Sequence, residues 1–272
     1  METKKKREGK KSRGFSAGIV IALCFVIAYI VFTYVFGDSS HFVGGDNKNH
    51  PLPGDFFGTI YKGGFVVVIV QTLLLTVFAL SIERFFALSK AKGKGNLINF
   101  VYDVKKQLEK GDIKGADKLC TQQKGSVAAV IAAGLKKYEE MEVSTDAELT
   151  KEQKLAAIQK DIEEATALEL PCMEQNLPVI ATISTLGTLF GLLGTVLGMI
   201  RSFAALANAG APDSVALATG ISEALINTAF GIATGALAII SYSFFTGKID
   251  NMTYAIDEMG FSIVQTYAEK HR

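Results

Sequence analysis

The sequence has no lysine, arginine, aspartate or glutamate between Arg13 and Asp38, between Lys62 and Glu83, or between Glu174 and Arg201, and only Glu223 interrupts the stretch from Asp213 to Lys248. Four uncharged runs of roughly 20 or more residues exclude an ordinary soluble domain, because each is long enough to cross a bilayer as a helix. Cysteine is scarce and scattered: Cys24 lies inside an uncharged run, while Cys120 and Cys172 lie far apart in charged sequence. No disulfide or metal framework follows from such a set. His41 and His50 share a loop of Gly, Asn and Pro, which is too sparse for a metal site. No catalytic signature stands out, so an enzyme is not expected. The net charge of +1 conceals basic clusters at the N-terminus, after Ile82 and in the C-terminal tail, a pattern that gives nucleic-acid binding no support.

What is present reads as a membrane topology. Lys4, Lys5, Lys6, Arg7, Lys10, Lys11 and Arg13 precede the first run and mark residues 1–14 as a cytoplasmic basic segment. The run at 15–36 is too long for a signal peptide and ends in Tyr34, Val35 and Phe36 without a small-residue cleavage site, so it is read as a retained span. Residues 37–62, rich in turn formers and poor in Lys and Arg, read as a periplasmic loop. A second span at 63–82 is followed by Arg84, Lys90, Lys92 and Lys94, which mark the return to the cytoplasm. Residues 83–175 read as a helical cytoplasmic domain, with 15 basic against 16 acidic side chains in the segment from Glu83 to Glu174. Helices are expected over 96–110, 125–138 and 151–170, the last disturbed by Pro171 and Pro178. Spans at 176–203 and 217–245 are joined by a short turn at 204–216, and 246–272 reads as a cytoplasmic C-terminal helix. The fold class expected is an all-α membrane protein with four spans and both termini cytoplasmic.

The last two spans differ in kind from the first two. In the third, Gly187, Gly191, Gly194 and Gly198 recur at steps of four and three, and Ser184, Thr188, Thr195 and Ser202 share or border that face. In the fourth, Gly220, Glu223, Asn227, Gly231, Thr234, Ala238 and Ser241 make one small, polar stripe. Small residues in a span signal close helix contact. Glu223 carries more weight, since an ionisable group in hydrocarbon costs on the order of 3 kcal/mol unless it faces protein or water. Counting back from the turn places Thr195 and Thr228 near one level and Glu223 about two turns nearer the turn, level with Gly198. A hydroxyl pair near mid-depth and a carboxylate near the outer mouth suit a proton or cation path, with Thr195, Thr228, Asn227 and Glu223 as its polar groups. Thr188, Gly191, Gly194, Gly198, Gly231 and Thr234 are expected as packing on the pore face. Glu223 is the lone carboxylate of the pore spans, so a complete relay needs a partner.

The stretch Ala181-Thr-Ile-Ser-Thr-Leu-Gly-Thr-Leu-Phe-Gly-Leu-Leu-Gly-Thr-Val-Leu-Gly-Met-Ile-Arg-Ser-Phe203, followed by Gly220-Ile-Ser-Glu-Ala-Leu-Ile-Asn-Thr-Ala-Phe-Gly-Ile232, resembles the ExbB/TolQ/MotA family. The resemblance extends more loosely to Glu83-Arg84 and to residues 111–135. It implies a proton-driven motor in the inner membrane of a Gram-negative bacterium. Five such chains would form a ring around single-span partners similar to ExbD or TolR, with protons as the coupling ion and no other cofactor. It also implies that Thr195 and Thr228 face a partner's membrane aspartate and that Glu223 lies in the pore. Relatives of the ExbB and TolQ type carry three spans; the extra first span here, apolar all round, is expected to face membrane lipids outside the ring. Torque charges of a flagellar stator are not matched, so an ExbB-like subunit energising uptake through a TonB-like protein is the preferred reading. A TolQ-like or motility motor, or a scaffold that conducts nothing, stands as the alternative. A solute transporter is disfavoured by the absence of an inverted repeat.

Overall fold

The computed structural model describes residues 16–143, 149–208 and 214–271, all within an α-helical framework whose strand content is a lone antiparallel bridge between Phe42 and Pro51. The expected basic segment 1–14 lies outside the described residues, as does the middle of the 204–216 turn. In chain order the helices are α1 (Ala17–Ile30), α2 (Phe56–Lys62), α3 (Phe65–Lys92), α4 (Leu97–Glu109), α5 (Ile113–Gln123), α6 (Gly125–Val143), α7 (Lys151–Glu174), α8 (Leu177–Asn208) and α9 (Ser214–Lys270). Helix α1 passes directly into a π-helical segment, Val31–Phe36. Four of the helical stretches are long and apolar enough to cross a membrane; they contain α1 with its continuation, α3, α8 and α9. At ~1.5 Å per residue, the 57 residues of α9 measure about 85 Å, far beyond a hydrocarbon core of ~30 Å. The fourth span and the C-terminal helix are thus one uninterrupted element.

The chain divides into two compact units, each gathered from separate parts of the sequence. Phe15–Glu83 and Asn176–Phe244 form an apolar unit; Arg84–Gln175 and Phe245–Arg272 belong to a charged one. In the apolar unit, Val77, Leu80, Ile180, Ile183 and Ala238 make a core, against which Val20, Leu73, Val179 and Tyr242 pack. Most of α1 stays exposed, with only Cys24 and Ala28 buried along it. Thr72 and Thr76, buried on α3, donate to the carbonyls of Val68 and Thr72 at 2.7 and 2.8 Å, which satisfies both hydroxyls inside their own helix.

Residues 37–62 are more ordered than a plain loop. Asp55 caps α2 by accepting from the Gly58 N–H at 2.8 Å, and its other oxygen lies 2.8 Å from His41 Nδ1. Those two contacts hold its carboxyl below the usual carboxylate range. Tyr61 stacks on Phe32 at 4.8 Å and Phe57 on Phe36 at 5.5 Å, fastening α2 to the end of the first span. His50 instead lies 3.2 Å from Thr219 Oγ1, so the two histidines of this segment serve different partners.

In the charged unit, Asn96, Asp112 and Thr150 cap α4, α5 and α7, and Thr150 with Gln153 closes a full capping box. Gly93 and Gly125 have φ of 82° and 84°, and a Cβ on either would strike backbone, at 2.1 Å from Lys124 O and 2.4 Å from Ala91 O respectively. The core joins α6, α7 and the end of α9 through Leu135, Ile158, Ile162 and Ile263, with Tyr138 edge-on to Tyr267 at 5.0 Å. Burial and the nearby Asp117 push the Cys120 thiol up to about 12, leaving it an inert core group.

The expected disturbance at Pro171 is not found. Pro171 sits inside α7, and the break falls at Asn176, whose φ is +66°. Arg84, 1% exposed, donates from Nη1 to the carbonyls of Cys172 and Met173 at 3.3 Å each, supporting the turn that follows the proline. Pro178 lies in the first turn of α8, where a missing N–H costs nothing. Replacing Arg84 by Leu orphans these carbonyls at about 1–3 kcal/mol each. Thermal unfolding of the solubilised protein should show a clear drop for Arg84→Leu and only partial recovery for Arg84→Lys, whose ammonium lacks the planar fork.

Candidate functional site

Along the α8/α9 hairpin the two backbones touch. A Cβ on Gly231 would lie 2.6 Å from Gly187 O and 2.6 Å from Gly191 Cα, and one on Gly191 would lie 3.0 Å from Gly231 Cα. A Cβ on Gly198 would lie 2.8 Å from Ala224 Cβ, one on Gly194 2.4 Å from Asn227 Cβ, and one on Gly187 3.1 Å from Thr234 Cγ2. These pairs run in opposite directions along the two helices, so the register is antiparallel without a slip. Only glycine permits this approach, and the contact it gives is van der Waals packing of the kind that joins helices in lipid.

The hydroxyls beside the seam mostly serve their own helix. Thr195, half-buried, donates to Leu192 O at 2.6 Å; exposed Thr188 donates to Ser184 O at 3.3 Å; buried Thr234 donates to Phe230 O at 2.8 Å. Thr228 crosses the seam, donating to Gly191 O at 3.1 Å. In each case the proton is committed while the oxygen keeps lone pairs for an outside donor. Thr195 is also the polar edge of a groove of about 500 Å³ otherwise lined by Val196, Met199, Ile200 and Phe203.

Glu223 is half-buried one turn from Asn227. It forms no ion pair with a described residue, but the charges of Lys62 and Arg201 reach it. Asn227, 2% exposed, donates from Nδ2 to Gly63 O at 3.2 Å, while its Oδ1 has no partner among the described residues. The amide therefore ties α9 to the turn between α2 and α3, a turn that Gly64 makes at φ +70°.

The structure brings Thr195, Thr228, Asn227 and Glu223 to one hairpin, with different duties. Asn227 is bonded within the chain, its amide donating to Gly63 O. Gly191, Gly194, Gly198, Gly231 and Thr234, expected as packing on the pore face, are buried in the seam against the hairpin's other helix; Thr188 alone of that set is exposed. Small residues report a close contact but not its partner, and here the partner is the neighbouring helix of the same chain. Lys62, Gly63 and Arg201 are the site residues that pattern reading passed over. Their signal was positional: Lys62 and Arg201 are the charges that bound two of the uncharged runs.

The sequence model of the MotA/TolQ/ExbB proton channel family matches residues 122–258, half of the chain, including α8 and α9 as far as residue 258. A Methanothermobacter thermautotrophicus protein named as a biopolymer transport protein ExbB homolog is 28% identical over 203 residues, which cover 72% of this chain and 66% of that protein. The Tol-Pal system protein TolQ of Pseudomonas aeruginosa is 27% identical over 191 residues, covering 66% and 80% respectively. The biopolymer transport protein ExbB of Salmonella typhimurium is 29% identical over 85 residues, 31% of this chain and 35% of that one.

The seam yields a direct test. Gly231→Leu forces a side chain into backbone, and overpacking of this kind costs about 1–3 kcal/mol; the solubilised variant should melt earlier in a thermal unfolding scan. Asn227→Leu, which keeps bulk but drops the bond to Gly63, should lower the melting temperature less than Gly231→Leu does.

Proposed function

The chain belongs to the MotA/TolQ/ExbB proton channel family, and on that premise we propose that it forms the wall of a proton channel in an inner-membrane motor whose moving part is a single-span partner. The observation that carries this reading is Glu223, the one acidic group between residues 214 and 247, half-buried and without a described ion-pair partner. A carboxylate kept this way in a span is a group for exchanging protons or meeting a partner, since a purely structural one would be paired.

The hydroxyls refine the mechanism. Thr195 and Thr228 have given their protons to carbonyls, so they accept hydrogen bonds better than they donate. A protonated partner carboxyl can donate to them; an ionised one gains little. A partner aspartate is thus held opposite the hydroxyls while neutral and released when it loses its proton, which couples proton transfer to motion. The Thr195 groove, apolar apart from that hydroxyl, suits a single partner helix. Copies of this chain surround the partner as a ring, five in the preferred reading, with both termini cytoplasmic and the 37–62 segment periplasmic.

The load is proposed as outer-membrane uptake through a TonB-like protein, in line with the ExbB names among the relatives. The TolQ relative, which shares the longer fraction of its own length with this chain, favours an envelope load of the Tol-Pal kind as the second reading. Glu223→Gln should abolish proton uptake by the reconstituted complex, with at least ~100-fold loss for removal of a proton-transfer group, while ring assembly stays intact. Unchanged flux in that variant would point to a scaffold that does not use Glu223.

A further inference from the structure

Resting on the channel reading above, we propose that His50 is the proton-transfer group that loads Glu223 from the outer water. Three contacts lay the segment between the first two spans along α9. His50 Nδ1 lies 3.2 Å from Thr219 Oγ1, Asn227 Nδ2 donates to Gly63 O at 3.2 Å, and Phe56 stacks on Phe230 with 6.5 Å between ring centres. Glu223 stands midway between Thr219 and Asn227. Residues four apart on a helix share a face with about 5–6 Å between their Cβ atoms, so the first two contacts bracket the carboxylate, one turn to either side. His50 is set in place and not carried on a free loop. Its carbonyl accepts from the Val43 N–H at 3.0 Å, and the next residue, Pro51, pairs with Phe42 in the antiparallel bridge. Thr219 then fixes the ring through Nδ1, and the exposure of His50 leaves Nε2 to exchange with water.

The other charged groups of this region are not suited to the task. Lys62 donates from Nζ to Lys48 O at 3.0 Å, and Arg201 of α8 lays its guanidinium over Gly64, with Nη1 3.3 Å from where a Cβ would stand. Like Lys48, both are cations with no lone pair to take up a proton. Asp46 accepts from the Lys48 N–H at 2.9 Å, and Asp55 is engaged by the Gly58 N–H and by His41. Imidazole is the side chain that takes and returns protons near neutrality. In the step proposed, a proton from the outer water adds to Nε2, and the imidazolium gives one to an intervening water, which passes one of its own to a Glu223 oxygen. The ring ends neutral and the carboxylate becomes a carboxylic acid, so one proton has moved inward. A gap of one helical turn is short enough for water to bridge. Asn227 Oδ1, buried and without a partner among the described residues, offers such water an acceptor.

The test uses the complex purified with whatever partner accompanies it, reconstituted in liposomes, with proton flux driven from the side that carries residues 37–62 in an imidazole-free buffer. Wild type should conduct, and His50→Ala should lose about 100-fold of that flux, the lower end of what a positioned acid–base group contributes. Added imidazole should restore the flux of His50→Ala and leave Glu223→Gln inactive. His50→Gln, whose amide can still bond Thr219 but does not shuttle protons, should show the same loss, which separates proton transfer from support of the fold. Full flux in either His50 variant, or a loss in His50→Ala that imidazole does not repair, overturns the relay; with Glu223→Gln still blocked, the channel reading stands without it. No proton flux from wild type removes the channel reading itself, and the relay with it.

Discussion

Backbone contact along the α8/α9 seam is the constraint on which the rest of the molecule depends. Glycines at 187, 191, 194 and 198 on one helix and at 231 and 235 on the other let two spans meet with at most one side chain between the backbones at each level. In lipid there is little hydrophobic gain from bringing apolar helices together, so this packing has to come from close fit. Once the seam is fixed, the faces left free are fixed too. Thr195 is turned to a groove, Glu223 to the level of Lys62 and Arg201, and Asn227 to the turn that starts α3.

Much of this was readable from the residues. Missing charge reported four crossings because burying a charge in hydrocarbon is costly, and steps of three and four among small residues reported a helix face in tight contact. The short connection made depth a matter of counting, which is why Gly198 and Ala224, the neighbour of Glu223, were brought to one level. What pattern cannot report is the identity of a contact partner. The seam glycines were expected as packing on the pore face, and within the chain they pack against their own hairpin. Asn227 looked like a polar lining group, and it bonds to Gly63, 164 residues away in sequence. The break after α7 was hidden for a related reason: Arg84, far away in the chain, supports the carbonyls beyond Pro171, and the turn passes to Asn176. Helix α2 escaped notice because its seven residues owe their order to the Asp55 cap and to aromatic stacking on the first span.

The chemistry of the hairpin is one of acceptors around a single acid. Hydroxyl protons are spent on carbonyls, the buried amide leaves its oxygen open, and the carboxylate forms no ion pair with a described residue. Such a set responds to a proton by changing the balance of charge at one depth, and it has no second carboxylate within 214–247 to pass that proton on. On the proposed reading the other half of the relay comes from another polypeptide, whose helix would run along the apolar groove beside Thr195.

The need for that second polypeptide is the centre of the account, and native mass spectrometry of the gently solubilised complex tests it most directly. The account predicts several copies of this chain holding a short single-span protein with an acidic residue in its span. A monomer or simple dimer with no such protein bound, in several detergents, would contradict it.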